Sequence, residues 1–145
     1  MKIAVASDHA GYDYKERAKA YLAAKGHELV DYGAMNAERS DYPDFGHRGA
    51  EGILRGEAEV GVFVCGSGIG IAIAANRHKG IRAVDATSEE MARLARQHNN
   101  ANVLALGERI VAWEEAEHII DVFLATEFEG GRHQRRIEKL DEEVK

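Results

Sequence analysis

Short apolar runs alternate with helical patterns along the whole of this chain, and that alternation restricts the fold more than any other feature. The runs lie at residues 3–6, 28–32, 60–64, 81–84 and 102–106. Between them, residues 14–25 carry helical spacing in Ala18, Tyr21 and Leu22, and Gly26 reads as the stop. Pro43, the only proline, opens a helix running to about residue 55. Thr87 and Glu90 are spaced as a capping box for a helix through Arg96. Trp113–Ala125 is a long amphipathic pattern, and residues 132 to about 142 form a final one. Strands alternating with helices in this way imply an α/β fold, a mostly parallel sheet of roughly five strands covered by helices. With no repeat, linker or low-complexity stretch, residues 1–145 read as a single domain.

Charge and cysteine usage narrow the function classes. The net charge of −6 provides no bulk attraction to nucleic acid or to an anionic membrane. No segment approaches the ~20 apolar residues of a membrane span, and the opening Met-Lys-Ile-Ala-Val-Ala-Ser-Asp-His breaks its apolar run too early for a signal peptide. One unpaired cysteine fits a reducing, cytoplasmic setting. The histidines are scattered, none at a metal-ligand spacing from Cys65, so no metal site is expected.

The chemistry concentrates in residues 60–76. An apolar strand pattern ends in Cys65, a turn with Gly66, Gly68 and Gly70 follows, and a small-residue apolar segment then reads as a helix. Strand, glycine turn and helix in that order aim backbone N–H groups at one spot, which favours an anion or an oxygen gaining negative charge. The thiol stands at the rim, where the amides and the helix dipole favour negative charge on sulfur. A lone cysteine in an apolar strand is more often inert packing, but three glycines in five positions mark close backbone approach to something. Two familiar loops fail on spacing. A dinucleotide fingerprint would need its third glycine where Ile71 stands, and a cysteine-phosphatase loop would need arginine there.

Ligands of open parallel sheets sit beyond the carboxyl ends of the strands. Asp8 and His9 follow the first strand, Cys65 and the glycine turn the third, and Gly107 and Arg109 the fifth. Asp8 could instead serve only as a cap, and Asn99 or Asn100 as a left-handed helix stop. His98 precedes its strand and falls at the opposite edge, within reach of such a site only in a neighbouring subunit. Arg132, His133, Arg135 and Arg136 resemble a solvated helix face. Against that, they crowd the first turns of a helix, where the dipole disfavours cations, and Arg132 and Arg136 share a face suited to a phosphate.

With these residues assembled, the chain resembles the B-type ribose-5-phosphate isomerases, in the family shared with galactose-6-phosphate isomerase subunits. The resemblance runs nearly end to end. It rests on Ser-Asp-His-Ala-Gly (7–11), Ser-Asp-Tyr-Pro (40–43), Cys-Gly-Ser-Gly-Ile-Gly (65–70) and Ala-Ala-Asn-Arg (74–77). It continues through Gly-Ile-Arg-Ala (80–83), Arg-Gln-His-Asn (96–99), Asn-Val-Leu-Ala-Leu-Gly (102–107) and Glu-Gly-Gly-Arg-His-Gln-Arg-Arg (129–136). The resemblance implies a Rossmann-like three-layer α/β/α fold. It also implies metal-free interconversion of ribose 5-phosphate and ribulose 5-phosphate in the pentose phosphate pathway, by a homodimer able to pair into tetramers. By the same resemblance, Cys65 is the base that removes the C2 proton and His98 the acid that helps open the furanose ring. The amides of Gly66, Ser67, Gly68, Ile69 and Gly70 hold the enediolate, while the Ser67 hydroxyl assists proton movement between O1 and O2. Asp8, His9 and Asn99 match substrate-binding positions, and Arg109, Arg132 and Arg136 phosphate-binding ones, with the arginines crossing the dimer interface. A second branch of the family lacks the cysteine and uses a glutamate after the turn. Cys65 is present here and Ile71 fills the glutamate position, so the resemblance is to the cysteine branch.

Two other functions share these residues. One is a six-carbon phosphosugar isomerase, for allose 6-phosphate or galactose 6-phosphate. The other is a non-catalytic phosphate-binding module, which would need neither Cys65 nor His98.

Overall fold

The computed structural model describes residues 1–142. Strands β1 (Lys2–Ser7), β2 (Glu28–Asp31), β3 (Val60–Cys65), β4 (Ala83–Asp85) and β5 (Val103–Gly107) form one sheet in the order β2-β1-β3-β5-β4. Every pair is parallel. The helices are α1 (Tyr12–Ala24), α2 (Tyr42–Leu54), α3 (Ile69–Asn76), α4 (Glu89–Asn99), α5 (Trp113–Ala125) and α6 (Arg132–Glu138).

Side-chain alternation along the strands sorts the core into two layers. Ile3, Val5, Val62, Val64, Leu104 and Leu106 meet Leu22 of α1, Ala95 of α4, and Ile119 and Phe123 of α5. The residues between them (Ala4, Ala6, Phe63, Cys65, Val103 and Ala105) meet Ile53 of α2 and Ile71 and Ala75 of α3. This is the expected three-layer α/β/α arrangement. Each fully buried Leu, Ile or Phe contributes about 1.5–3 kcal/mol.

The order of the strands places the site. From β1 the chain moves outward to β2 and then returns to lay β3 on the other flank of β1. The crevice beyond the carboxyl ends of β1 and β3 is therefore a topological switch point, where ligands bind in sheets of this kind.

Three sequence expectations need correction. The fourth strand begins at Ala83 rather than 81, because Ile81 N–H donates to the His78 carbonyl of the preceding turn and Arg82 N–H to Asn102 Oδ1, a side chain just ahead of β5. The cap of α4 is Ser88, whose hydroxyl accepts the Met91 N–H at 3.1 Å; Thr87 instead lies against Met91 Sδ. Finally, α6 ends at Glu138 and tightens into a short 3-10 turn, Lys139–Asp141, where Asp141 accepts the Gly80 N–H. In so short a helix Arg135 and Arg136 already occupy the last turn, where the dipole favours cations, so the dipole objection holds for Arg132 alone.

Candidate active site

A cleft of about 560 Å³ opens at the switch point, lined by Asp8, His9, Tyr42, Cys65, the glycine turn and Arg109. Cys65 ends β3 with its side chain almost wholly buried. The Gly68 N–H donates to its Sγ at 3.2 Å, a contact that stabilises negative charge on sulfur. Gly68 can make this contact because it is the N-cap of α3 with φ +80°, in the left-handed region. A Cβ there would also collide with the Asp85 carboxyl, which lies behind the turn. The first N–H groups of α3 have no partner inside the helix and open toward the same space. Ser67 Oγ accepts one of them, from Ile69, at 3.2 Å.

The surrounding loops hold the rest of the cleft in place. Asp8 is buried, and its Oδ1 accepts the Gly11 N–H at 3.1 Å, capping a short 3-10 helix, His9–Gly11. The capping role foreseen for Asp8 is real, and the same residue lines the cleft. His9 Nδ1 lies 3.1 Å from the Ser40 carbonyl and 3.2 Å from its N–H, so either tautomer is gripped by that residue. Arg109 follows β5; its N–H donates to the Gly66 carbonyl, and its guanidinium packs so close that a Cβ on Gly66 would meet Nη1 at 3.1 Å.

The remaining candidates lie elsewhere in the chain. Asn100, with φ +45°, is the left-handed stop of α4, which leaves His98 and Asn99 in the last turn of that helix, at the amino edge of β5. Asn99 lines a different cavity of about 370 Å³, with Asn76 and Arg82. His98 stacks on His133 of α6, with ring centroids 4.4 Å apart. Arg132 and Arg136 are exposed on the outer face of α6. One protomer thus brings together Cys65, the turn, Asp8, His9 and Arg109, and holds His98, Asn99, Arg132 and Arg136 apart from them; Arg109 lines its own chain's cleft, so of the three arginines expected to cross an interface only Arg132 and Arg136 remain candidates.

Two residues near the cleft carry no chemical signal in the sequence. Tyr42 looks like part of a helix start beside Pro43, but its ring faces Gly70. Asp85 sits at the end of β4, where burial pushes its carboxyl pKa up and Oδ1 has no hydrogen-bond partner among the described residues. Only the packing of β4 behind the turn reveals it.

Fold and cleft together define a doubly wound parallel α/β protein that presents a thiol and an amide cradle to a small anionic ligand. The chain belongs to the ribose/galactose isomerase family, whose pattern matches residues 3–140. It is 45% identical to ribose-5-phosphate isomerase B of Escherichia coli over 139 residues, 96% of this chain and 93% of that protein. A ribose 5-phosphate isomerase from Thermotoga maritima shares the structure with a TM-score of 0.95, at 51% identity over 97% of each chain. Ribose-5-phosphate isomerase B from Mycoplasma genitalium, solved with bound ribulose-5-phosphate, has a TM-score of 0.91 at 43% identity, covering 96% of this chain and 93% of that one.

Proposed function

We infer that this protein is an aldose–ketose isomerase that interconverts ribose 5-phosphate and ribulose 5-phosphate through an enediolate, with no metal required. The observation that carries this reading is the Cys65 thiol at the head of the α3 amide cradle, 3.2 Å from the Gly68 nitrogen, in the switch-point cleft. A proton α to a carbonyl is weakly acidic, so its removal needs a placed base and donors aimed at the oxygen that gains charge. In this mechanism the Cys65 thiolate takes the C2 proton and the turn amides receive the enediolate oxygen. The Ser67 hydroxyl passes the proton from O2 to O1, or the reverse, and the thiol then returns its proton to the neighbouring carbon. Asp8 and His9 bind the sugar, and Arg109 reaches its phosphate.

The active unit in this reading is a homodimer with shared sites. Helix α3 is apolar on nearly every side, and an isolated surface helix of that kind needs a cover. Ile69 and Ile73 are 57% and 52% exposed beside the cleft, and Ile110 is 58% exposed at its rim. A second copy seated there covers this patch and brings its His98, Asn99, Arg132 and Arg136 to the cleft. His98 then supplies the proton to the ring oxygen as the furanose C1–O4 bond breaks, and the anomeric hydroxyl releases its own proton to solvent as C1 becomes the aldehyde. No helix among the described residues is long and apolar enough to cross a membrane, and a free thiol used as a base belongs in the reducing cytosol.

A coupled assay of the purified protein with ribose 5-phosphate, run with and without a chelator, tests the reading. Turnover unaffected by the chelator is expected. Because the family spans ribose and galactose phosphates, the same assay includes allose 6-phosphate and galactose 6-phosphate. A higher kcat/KM on either would reassign the substrate, and no turnover on any would leave a phosphate-binding module.

A further inference from the structure

Behind His98 lies a cluster that the chemistry above does not use. His133 is, with Ile137, one of the two buried residues of α6, and its ring lies nearly parallel to that of His98, 14° between planes. Glu129 lies beside the stack, with Oε1 3.5 Å from His133 Nε2 and 3.9 Å from His98 Nε2. The His133 side chain is only 7% exposed, and its Nε2 makes no hydrogen bond among the described residues, so a buried polar atom points at this carboxylate unpaired. The segment carrying Glu129 is fastened to the last turn of α4: Glu129 N–H donates to the Gln97 carbonyl, and Arg96 Nε to the Thr126 carbonyl, each at 3.1 Å.

We propose that Glu129 and His133 are positioning residues for His98: the buried His133 ring holds the His98 imidazole by stacking, and the Glu129 carboxylate beside both rings supports a positive charge on His98 as it faces the sugar ring oxygen. Two imidazolium rings stacked this closely would repel, which disfavours a charge on both. Burial, the neighbouring His98 and Arg132 outweigh the attraction of Glu129 and hold the His133 pKa below the ordinary imidazole range. The His98 ring, 42% exposed, keeps its solvation, and a charge on it would face the Glu129 carboxylate with a neutral aromatic face beneath. The charged groups around the stack are Glu129 from the loop and Arg132 and Arg136 from α6. The three ligand-type atoms lie within 4.8 Å of one another, but those two arginines oppose a divalent cation there, and a proton is the better occupant.

The proposal rests on the ring-opening role of His98, and the test separates the two. Profiles of kcat/KM against pH are measured on ribose 5-phosphate and on its analogue lacking the C4 hydroxyl, which cannot close a furanose ring. His98→Asn should lose activity selectively on the ring-forming substrate. Glu129→Gln, an exposed change that does not endanger folding, should move the alkaline limb for ribose 5-phosphate to lower pH by about half a unit or more, the effect of one lost charge at this range in a water-like dielectric. The limb for the acyclic analogue should not move. His133→Ala should lower kcat/KM on ribose 5-phosphate roughly tenfold, and His133→Phe, which keeps a stacking ring, should recover most of it. Selective loss in His98→Asn, with the Glu129 and His133 variants unchanged or equally impaired on both substrates, overturns the positioning role alone. Absence of selectivity in His98→Asn overturns the ring-opening reading and this proposal with it.

Discussion

Cys65 is a core residue by packing and a surface residue by chemistry. It belongs to the cluster under α2 and α3, yet its sulfur faces the cleft and receives the Gly68 N–H. Cys65→Ala should therefore change the fold little and remove the base. The expected loss in kcat is about 10²–10⁴-fold, the usual worth of a positioned acid or base, with phosphosugar binding retained in calorimetry. Exchange of the C2 hydrogen with solvent deuterium, followed by NMR, should stop in the variant; exchange at the wild-type rate would exclude the cysteine as base. His98 and His133 show where a residue-by-residue reading reaches its limit. They lie on separate helices in the sequence, and a stacked pair with His133 buried exists only once α4 and α6 pack together.

At the scale of elements, local chemistry was legible wherever the backbone itself does the work. The glycine turn, the strand before it and the helix after it are as read, because φ at Gly68 and the helix start are local properties. The α4 cap was misread by one residue, since Thr87 and Ser88 both suit the role and only the path out of β4 chooses between them. Ser88→Ala should cost about 1 kcal/mol in chemical denaturation, while Thr87→Ala should be close to neutral. A second element contact was invisible in the sequence: Lys15 of α1 is wholly buried, with Nζ 2.8 Å from Asp31 at the end of β2. Burial raises the Asp31 pKa, but hydrogen bonds from Lys15 and Lys19 outweigh it and the net shift is downward. A carboxyl lowered on folding stabilises the protein above its unfolded pKa of about 3.9 and loses that contribution as pH falls through the folded value. Asp31→Asn should therefore flatten the loss of stability below about pH 4. Asp31→Ala at neutral pH should cost roughly 3 kcal/mol, the low end for an orphaned buried charge, because Glu16 remains 3.4 Å from Lys15 Nζ.

For the whole molecule, the decisive question is which chain supplies which part of the site. Cys65 and Arg136 serve one cleft from different protomers in the proposed dimer. Mixing inactive Cys65→Ala with inactive Arg136→Ala should then restore activity, because one of the two clefts in a mixed dimer carries both defects and the other neither. Recovery of about a quarter of wild-type activity is the statistical expectation for random exchange in a symmetric dimer. Mass spectrometry would verify the exchange, and verified exchange without recovery would place both residues on the same chain. The sequence by itself determined the alternation of strands and helices, the two-sided core and the thiol beside its anion cradle. Those depend on side-chain period and on backbone preferences acting over a few residues. Only the tertiary structure decided that β3 pairs with β1 across a switch point, that Asp85 lies behind the turn, that α6 is short enough to put Arg136 in its last turn, and that His133 is buried against His98. Each of these brings together groups far apart in the chain, and what fixes them is how the apolar faces of separate elements fit against one another, which no local pattern encodes.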